Sequence, residues 1–154
     1  MFKSTDRGNN WTQINNGLDS LETNILTVDP TDSETLYLGT DDDGVYKSTD
    51  GGESWKKLTV SSLSKSFGVG DIIVDPQNSN NIYIGTVDYF RLSESRGVLG
   101  DFGVYKSTDG GATWEEFNVG LNHLGVFSLE LSEENRILYA GTRAGGVYWI
   151  SLDN

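Results

Sequence analysis

The chain has no cysteine, one histidine, one methionine and two prolines among 154 residues. Without cysteine, a disulfide framework, a thiolate zinc site and a cysteine nucleophile are all excluded, and the redox compartment leaves no mark on the sequence. The single histidine, His123, is a poor base for a Ser-His-Asp relay, because it lies alone in a loop-like stretch. Basic residues are scarce, 11 against 23 acidic ones, for a net charge of −12. A nucleic-acid partner needs a basic surface that displaces counterions, so DNA and RNA binding are not expected. An anionic membrane surface is disfavoured for the same reason. No apolar run approaches membrane-spanning length, no secretory leader is read in Met1-Phe2-Lys3-Ser4, and no stretch keeps a helical period.

What is plentiful points the other way. There are 19 glycines, and four Trp, seven Tyr and six Phe supply large apolar surfaces. Many glycines with few prolines suit tight turns between short strands. Short apolar runs rich in β-branched and aromatic residues recur between Gly, Asp, Asn and Pro, which is a strand signal. They also recur in a fixed order. Leu26–Pro30 corresponds to Ile72–Pro76 and Leu129–Glu133, and Leu36–Thr40 to Ile82–Thr86 and Leu138–Thr142. Gly44-Val-Tyr46 corresponds to Gly103-Val-Tyr105 and Gly146-Val-Tyr148. Tyr46 follows Phe2 by 44 residues and Tyr148 follows Tyr105 by 43, whereas Tyr105 follows Tyr46 by 59, so the middle unit carries an insertion.

One unit accommodates four strands: an inner strand Ile25–Val28, a second Thr35–Thr40, a third Gly44–Ser48 and an outer one Trp55–Val60. Four antiparallel strands in roughly 40–50 residues describe a β-propeller blade. The expected fold is therefore all-β, a propeller segment of about three four-stranded antiparallel blades, incomplete at both ends. It is read as a single partial propeller domain over 1–154, with a half-blade 1–17, a blade 18–60, a blade 61–119 with its insertion at 87–101, and an incomplete blade 120–154. An open arc exposes strand edges, so further blades of a longer chain, or closure by self-association, are the expected partners.

The most distinctive phrase occurs between the third and outer strands. It comprises Ser4, Asp6, Gly8 and Trp11; then Ser48, Asp50, Gly52, Ser54 and Trp55; then Ser107, Asp109, Gly111, Thr113 and Trp114. The spacing Ser-x-Asp-x-Gly-x-Ser/Thr-Trp is that of the Asp-box, and the chain resembles Asp-box (BNR-repeat) propellers: sialidases, sortilin-like receptors, xyloglucanase-type glycoside hydrolases and photosystem II stability-factor-like proteins. Asn10 stands where Ser or Thr is usual, and the last unit has Ile150 where the box Ser belongs. Turn chemistry accounts for every box member: the Asp accepts backbone hydrogen bonds, the glycines adopt positive φ, and the Trp packs between sheets. Metal or substrate binding by these Asp residues is the alternative. The resemblance places any active site away from the box and suggests an extracellular or periplasmic location.

Ligand contacts are expected on the opposite face, where the variable loops gather on a rigid scaffold. The insertion offers Tyr89, Phe90, Arg91 and Arg96, and the last unit offers Arg143; aromatic rings with Arg suit a glycan or a protein surface. An ordinary insertion covering a neighbouring blade is the plainer reading. Asp41 and Asp43 are weak metal candidates, since calcium loops alternate their ligands and this acidic run is contiguous. No metal or other cofactor is expected. Glycosidases need two opposed carboxyl groups, and no pair is assignable; Glu115 and Glu116 fall on an outer strand. Three functions remain open: a non-catalytic scaffold that binds a glycan or protein, a fragment of a xyloglucanase-like hydrolase, and a truncated or engineered repeat array that closes by self-association with no evolved ligand.

Overall fold

The computed structural model describes residues 1–63, 67–88 and 101–153. Within them every regular element is a strand. A short hairpin, β1 (Phe2–Lys3) with β2 (Thr12–Gln13), precedes a four-stranded sheet of β3 (Thr23–Asp29), β4 (Asp32–Thr40), β5 (Val45–Ser48) and β6 (Lys56–Lys57). A second four-stranded sheet comprises β7 (Gly68–Val74), β8 (Ile82–Val87), β9 (Val104–Ser107) and β10 (Glu115–Glu116). A three-stranded sheet follows: β11 (Val126–Ser132), β12 (Ile137–Thr142) and β13 (Gly146–Ser151). All neighbours are antiparallel and sequential, so each sheet is a propeller blade; we number these blades 1 to 3. The outer strands are shorter than Trp55–Val60 implied, since only two residue pairs join β5 to β6. The inner and second strands are longer.

Blade 2 packs against blade 1 on one side and blade 3 on the other, so its central strands are apolar on both faces rather than alternating. β8 is buried along its whole length. The layer between blades 1 and 2 contains Tyr37, Val45, Val69, Ile84, Tyr105 and Trp114. The layer between blades 2 and 3 contains Tyr83, Val104, Val126, Leu129, Leu131 and Leu138. Blades approach closely where β4 and β8 carry glycine. A Cβ on Gly39 would sit 2.6 Å from the Ile25 methyl and 2.8 Å from Val69 Cβ, and one on Gly85 would sit 2.7 Å from a Val126 methyl.

Polar links also cross between blades. Thr27 Oγ1 donates to the Ile72 carbonyl at 2.9 Å, and Asp71 accepts the Leu129 amide at 2.8 Å. The strongest link is a two-pronged one. Arg136 Nη1 and Nη2 donate to the two oxygens of Asp75 at 2.9 and 2.6 Å, joining the inner loops of blades 2 and 3. The Asp75 side chain is fully buried there. Burial pushes its carboxyl up, but the hydrogen bonds from Arg136, Gln77 and Asn81 outweigh this and hold it below the usual carboxylate range.

Candidate functional site

The three box turns share one geometry. In blade 1 the Ser48 hydroxyl donates to Asp50 Oδ1 at 2.7 Å and accepts the Gly52 amide at 2.9 Å. Asp50 accepts the Ser54 amide at 2.9 Å and the Ser54 hydroxyl at 2.5 Å. Blade 2 repeats this with Ser107, Asp109, Gly111 and Thr113 at 2.8, 2.9, 2.8 and 2.6 Å. In the hairpin, Asn10 does the work of the hydroxyl residue: its amide and its side-chain nitrogen reach Asp6 at 2.8 and 2.6 Å. The sequence departs from the box pattern here, but the donor geometry does not. The turns demand two consecutive left-handed residues, supplied by Gly51 (φ 66°) with Gly52 (φ 90°) and by Gly110 (φ 71°) with Gly111 (φ 92°). In the hairpin the first of these is Arg7, at φ 62°.

Hydrogen bonds from Ser54, then its backbone, then Ser48 bring the Asp50 carboxyl down to about 2; those from Thr113 and Ser107 bring Asp109 to about 2 as well. Both oxygens of each box Asp are bonded within the turn, which keeps them ionised and leaves them poor bases, unable to donate a proton at neutral pH, and poor metal ligands. A link absent from the expectations runs from box to box: Lys3 Nζ donates to the Gly51 carbonyl at 2.9 Å and Lys47 Nζ to the Gly110 carbonyl at 3.1 Å. The tryptophans anchor the same region. Trp55 Nε1 donates to the Ile14 carbonyl at 3.1 Å across to the hairpin, and Trp114 Nε1 to the Gly111 carbonyl at 3.1 Å.

The opposite face is assembled from the second-to-third turns and the connections between blades. Gly44 donates to the Phe67 carbonyl at 3.0 Å, Gly103 to that of Leu124 at 2.8 Å, and Arg143 to that of Gly125 at 2.8 Å. A threonine closes each turn: Thr40, Thr86 and Thr142 donate to the carbonyls of Gly44, Gly103 and Gly146 at 2.9, 2.9 and 3.0 Å.

On this face the acidic run does not converge. The Asp41 amide bonds the Glu22 carbonyl, and Asp42 accepts from Ser20 at 3.0 Å. Asp43 accepts from the Tyr46 hydroxyl and pairs with Lys57. The carboxylates of Asp42 and Asp43 thus serve different partners, and among the described residues no three potential metal ligands cluster. Burial, with Glu22 and Asp42 nearby, raises the Asp41 carboxyl above its ordinary value. Burial, with the Asp43 hydrogen bond, raises the Tyr46 phenol.

Arg143 Nη2 donates to the Asp88 carbonyl at 2.6 Å, and its guanidinium stacks on Phe127 with 5.2 Å to the ring centre. It therefore braces blade 3 against blade 2 while remaining at the rim of the loop face. His123 Nδ1 lies 3.0 Å from the Tyr148 hydroxyl, and Glu115 and Glu116 are exposed on β10. Tyr89, Phe90, Arg91 and Arg96 lie outside the described residues.

Blades with their outer turns tied by Ser–Asp–Gly hydrogen bonds define the Asp-box β-propeller class. Residues 1–149 match the Sortilin-Vps10 family, described as sortilin, neurotensin receptor 3, and the chain belongs to that family. It is 31% identical over 140 residues, 83% of its length, to the xyloglucanase Xgh74A of Acetivibrio thermocellus. It is 30% identical over 123 residues, 74% of its length, to a probable oligoxyloglucan-reducing end-specific xyloglucanase of Neosartorya fischeri. The chain spans 16% and 14% of the lengths of these two relatives. The crystal structure of an ancestral GH74 enzyme superimposes on 96% of the chain and 19% of its own with a TM-score of 0.74 at 24% identity, a likeness of fold.

Proposed function

We propose that these blades belong to a β-propeller glycoside hydrolase of the xyloglucanase type, and that a xyloglucan-class β-glucan lies across the face opposite the Asp-boxes. The observation that carries this reading is the run of about 30% identity to xyloglucanases along most of the chain. It favours the hydrolase alternative over a scaffold without catalysis. Hydrogen bonding and charge support the choice of face. The box carboxylates are consumed by their own turns, whereas the loop face carries Asp41 with its raised carboxyl and the Arg143–Phe127 stack. An extracellular setting goes with this reading, because a polymeric glycan is met outside the cell.

Affinity electrophoresis in gels containing xyloglucan tests it, with starch gels as the control. Retardation specific to xyloglucan is expected, weakened by Tyr89→Ala or Arg91→Ala and unchanged by Glu115→Gln on the outer strand. Equal mobility in both gels overturns the substrate class. New reducing ends released from retained xyloglucan would assign turnover to these blades; retention without release would assign them the scaffold role.

A further inference from the structure

We propose that the groove between the outer strand of blade 1 and the box turn of blade 2 binds the carboxylate of a uronic-acid unit in an acidic polysaccharide. The proposal concerns the box side of the molecule and does not rest on the substrate reading. It starts from three equivalent cross-strand pairs. Lys3 stands opposite Thr12 in the hairpin, Lys106 opposite Glu115 in blade 2, and Lys47 opposite Lys56 in blade 1. Directly opposed residues of an antiparallel pair share one face, with Cβ atoms about 4.5–5.5 Å apart, where opposite charges stabilise and like charges destabilise. The hairpin pair is neutral and the blade 2 pair attractive, but blade 1 sets two ammonium groups side by side. Acidic residues are not scarce, with 23 against 11 basic ones. Yet among the described residues no carboxylate pairs with Lys47 or Lys56, whereas Lys57 pairs with Asp43 and Lys3 with Glu53. A bound anion relieves the repulsion that the fold leaves in place.

Both lysines face a groove of about 420 Å³. Lys47 is fixed there: its Nζ donates to the Gly110 carbonyl at 3.1 Å and lies 5.2 Å from the centre of the Tyr37 ring, which leaves two further N–H donors. Lys56 is exposed and bonds no described residue through its side chain. One carboxylate offers two oxygens and accepts from both lysines at once. The rest of the groove suits a sugar ring, since Thr49 and Ser54 supply hydroxyls and Leu58 an apolar wall. Its volume falls in the range of about 300–1,000 Å³ typical of small-molecule sites, far more than an inorganic oxyanion fills. Asp109 also borders the groove, but its oxygens already accept from Ser107 and Thr113. An acidic peptide would need a strand edge to lie along, and β6 offers two residues. The corresponding groove between the hairpin and the blade 1 box has Thr12 in place of Lys56 and adds Asp6 and Glu53, so it lacks the paired cations. The net charge of −12 is screened beyond about 8 Å at physiological salt, which leaves the adjacent lysines to decide at the groove.

Isothermal titration calorimetry of the 154-residue chain with trigalacturonate at physiological salt tests the proposal. Maltotriose, sodium sulfate and a triglutamate peptide are the comparison ligands. Trigalacturonate is expected to bind and maltotriose is not. Lys56→Gln should raise the trigalacturonate Kd at least tenfold, while Lys106→Gln, at the position in blade 2 that corresponds to Lys47, should leave it unchanged. Lys56→Glu copies the Lys106–Glu115 pair of blade 2, so it should abolish binding and at the same time raise the urea midpoint of the ligand-free protein. Absence of trigalacturonate binding overturns the proposal, as does binding indifferent to Lys56→Gln or a midpoint lowered by Lys56→Glu. Sulfate or triglutamate bound as tightly as trigalacturonate also overturns it, by showing a site for an inorganic anion or an acidic peptide rather than for a sugar acid.

Discussion

Arg136→Met tests how blades 2 and 3 are held together. The substitution removes the fork that donates to both oxygens of Asp75 and leaves a carboxylate whose side chain is fully buried. Breaking a buried pair on one side costs about 3–5 kcal/mol, because the remaining charge is desolvated and uncompensated. The lower end, about 3 kcal/mol, applies here, since the Gln77 amide at 3.0 Å and Asn81 Nδ2 at 3.4 Å remain. The deficit also has a pH signature. In the intact protein the Asp75 carboxyl lies below its unfolded value, so its contribution is present above about pH 4 and is lost as pH falls through the folded value. Without Arg136, burial raises the group instead. Its charged form then destabilises the fold at neutral pH, and the penalty shrinks as pH falls through the raised value and the carboxyl is protonated. Urea unfolding followed by tryptophan fluorescence at pH 7 and pH 4 measures both effects. Asp75→Asn combined with Arg136→Met should recover part of the loss, because no charge is left buried. A loss below about 1 kcal/mol at pH 7, or the same loss at both pH values, would refute the assignment of this pair as a buried ionic clamp.

Trp55→Ala should cost about 3–5 kcal/mol in the same urea assay, since a buried indole and its bond to the Ile14 carbonyl are both lost. Arg7→Gly should stabilise by about 1 kcal/mol, because Arg7 adopts φ 62° where the other two boxes have glycine; a lower midpoint would argue that the Arg7 side chain matters more than its backbone. Gly70→Ala should lower the melting temperature sharply, since its Cβ would collide with the Val126 carbonyl between blades 2 and 3; an unchanged melting temperature would mean that the blades slide apart freely. Acid titration should leave the box turns intact to about pH 3 and loosen them as pH falls through the Asp50 and Asp109 values near 2, because depressed carboxyl groups stabilise only while ionised; loosening already at pH 4–5 would contradict those hydrogen bonds.

The local amino-acid order by itself determined the strand repeat and the chemistry of the box. Ser48, Asp50, Gly52 and Ser54 lie within seven residues, so their mutual hydrogen bonds are set by one turn and are legible from spacing alone. Period-like recurrence did the same for the central strands, because each blade builds its sheet from the same order of apolar strands and turns. Tertiary structure decided what joins distant positions. Asp75 meets Arg136 61 residues away, Arg143 reaches the Asp88 carbonyl 55 residues away, and Lys47 reaches Gly110 63 residues away. No short motif announces such pairs, since one partner's meaning depends on which blade folds beside it. The acidic run shows the same limit: Asp42 and Asp43 are adjacent in sequence, yet the backbone turn sends their carboxylates to Ser20 and to Tyr46 with Lys57, while the Asp41 amide bonds the Glu22 carbonyl. Trp55 and Trp114 show it most directly: the same motif residue donates to the Ile14 carbonyl of the hairpin in one blade and to the Gly111 carbonyl of its own turn in the next.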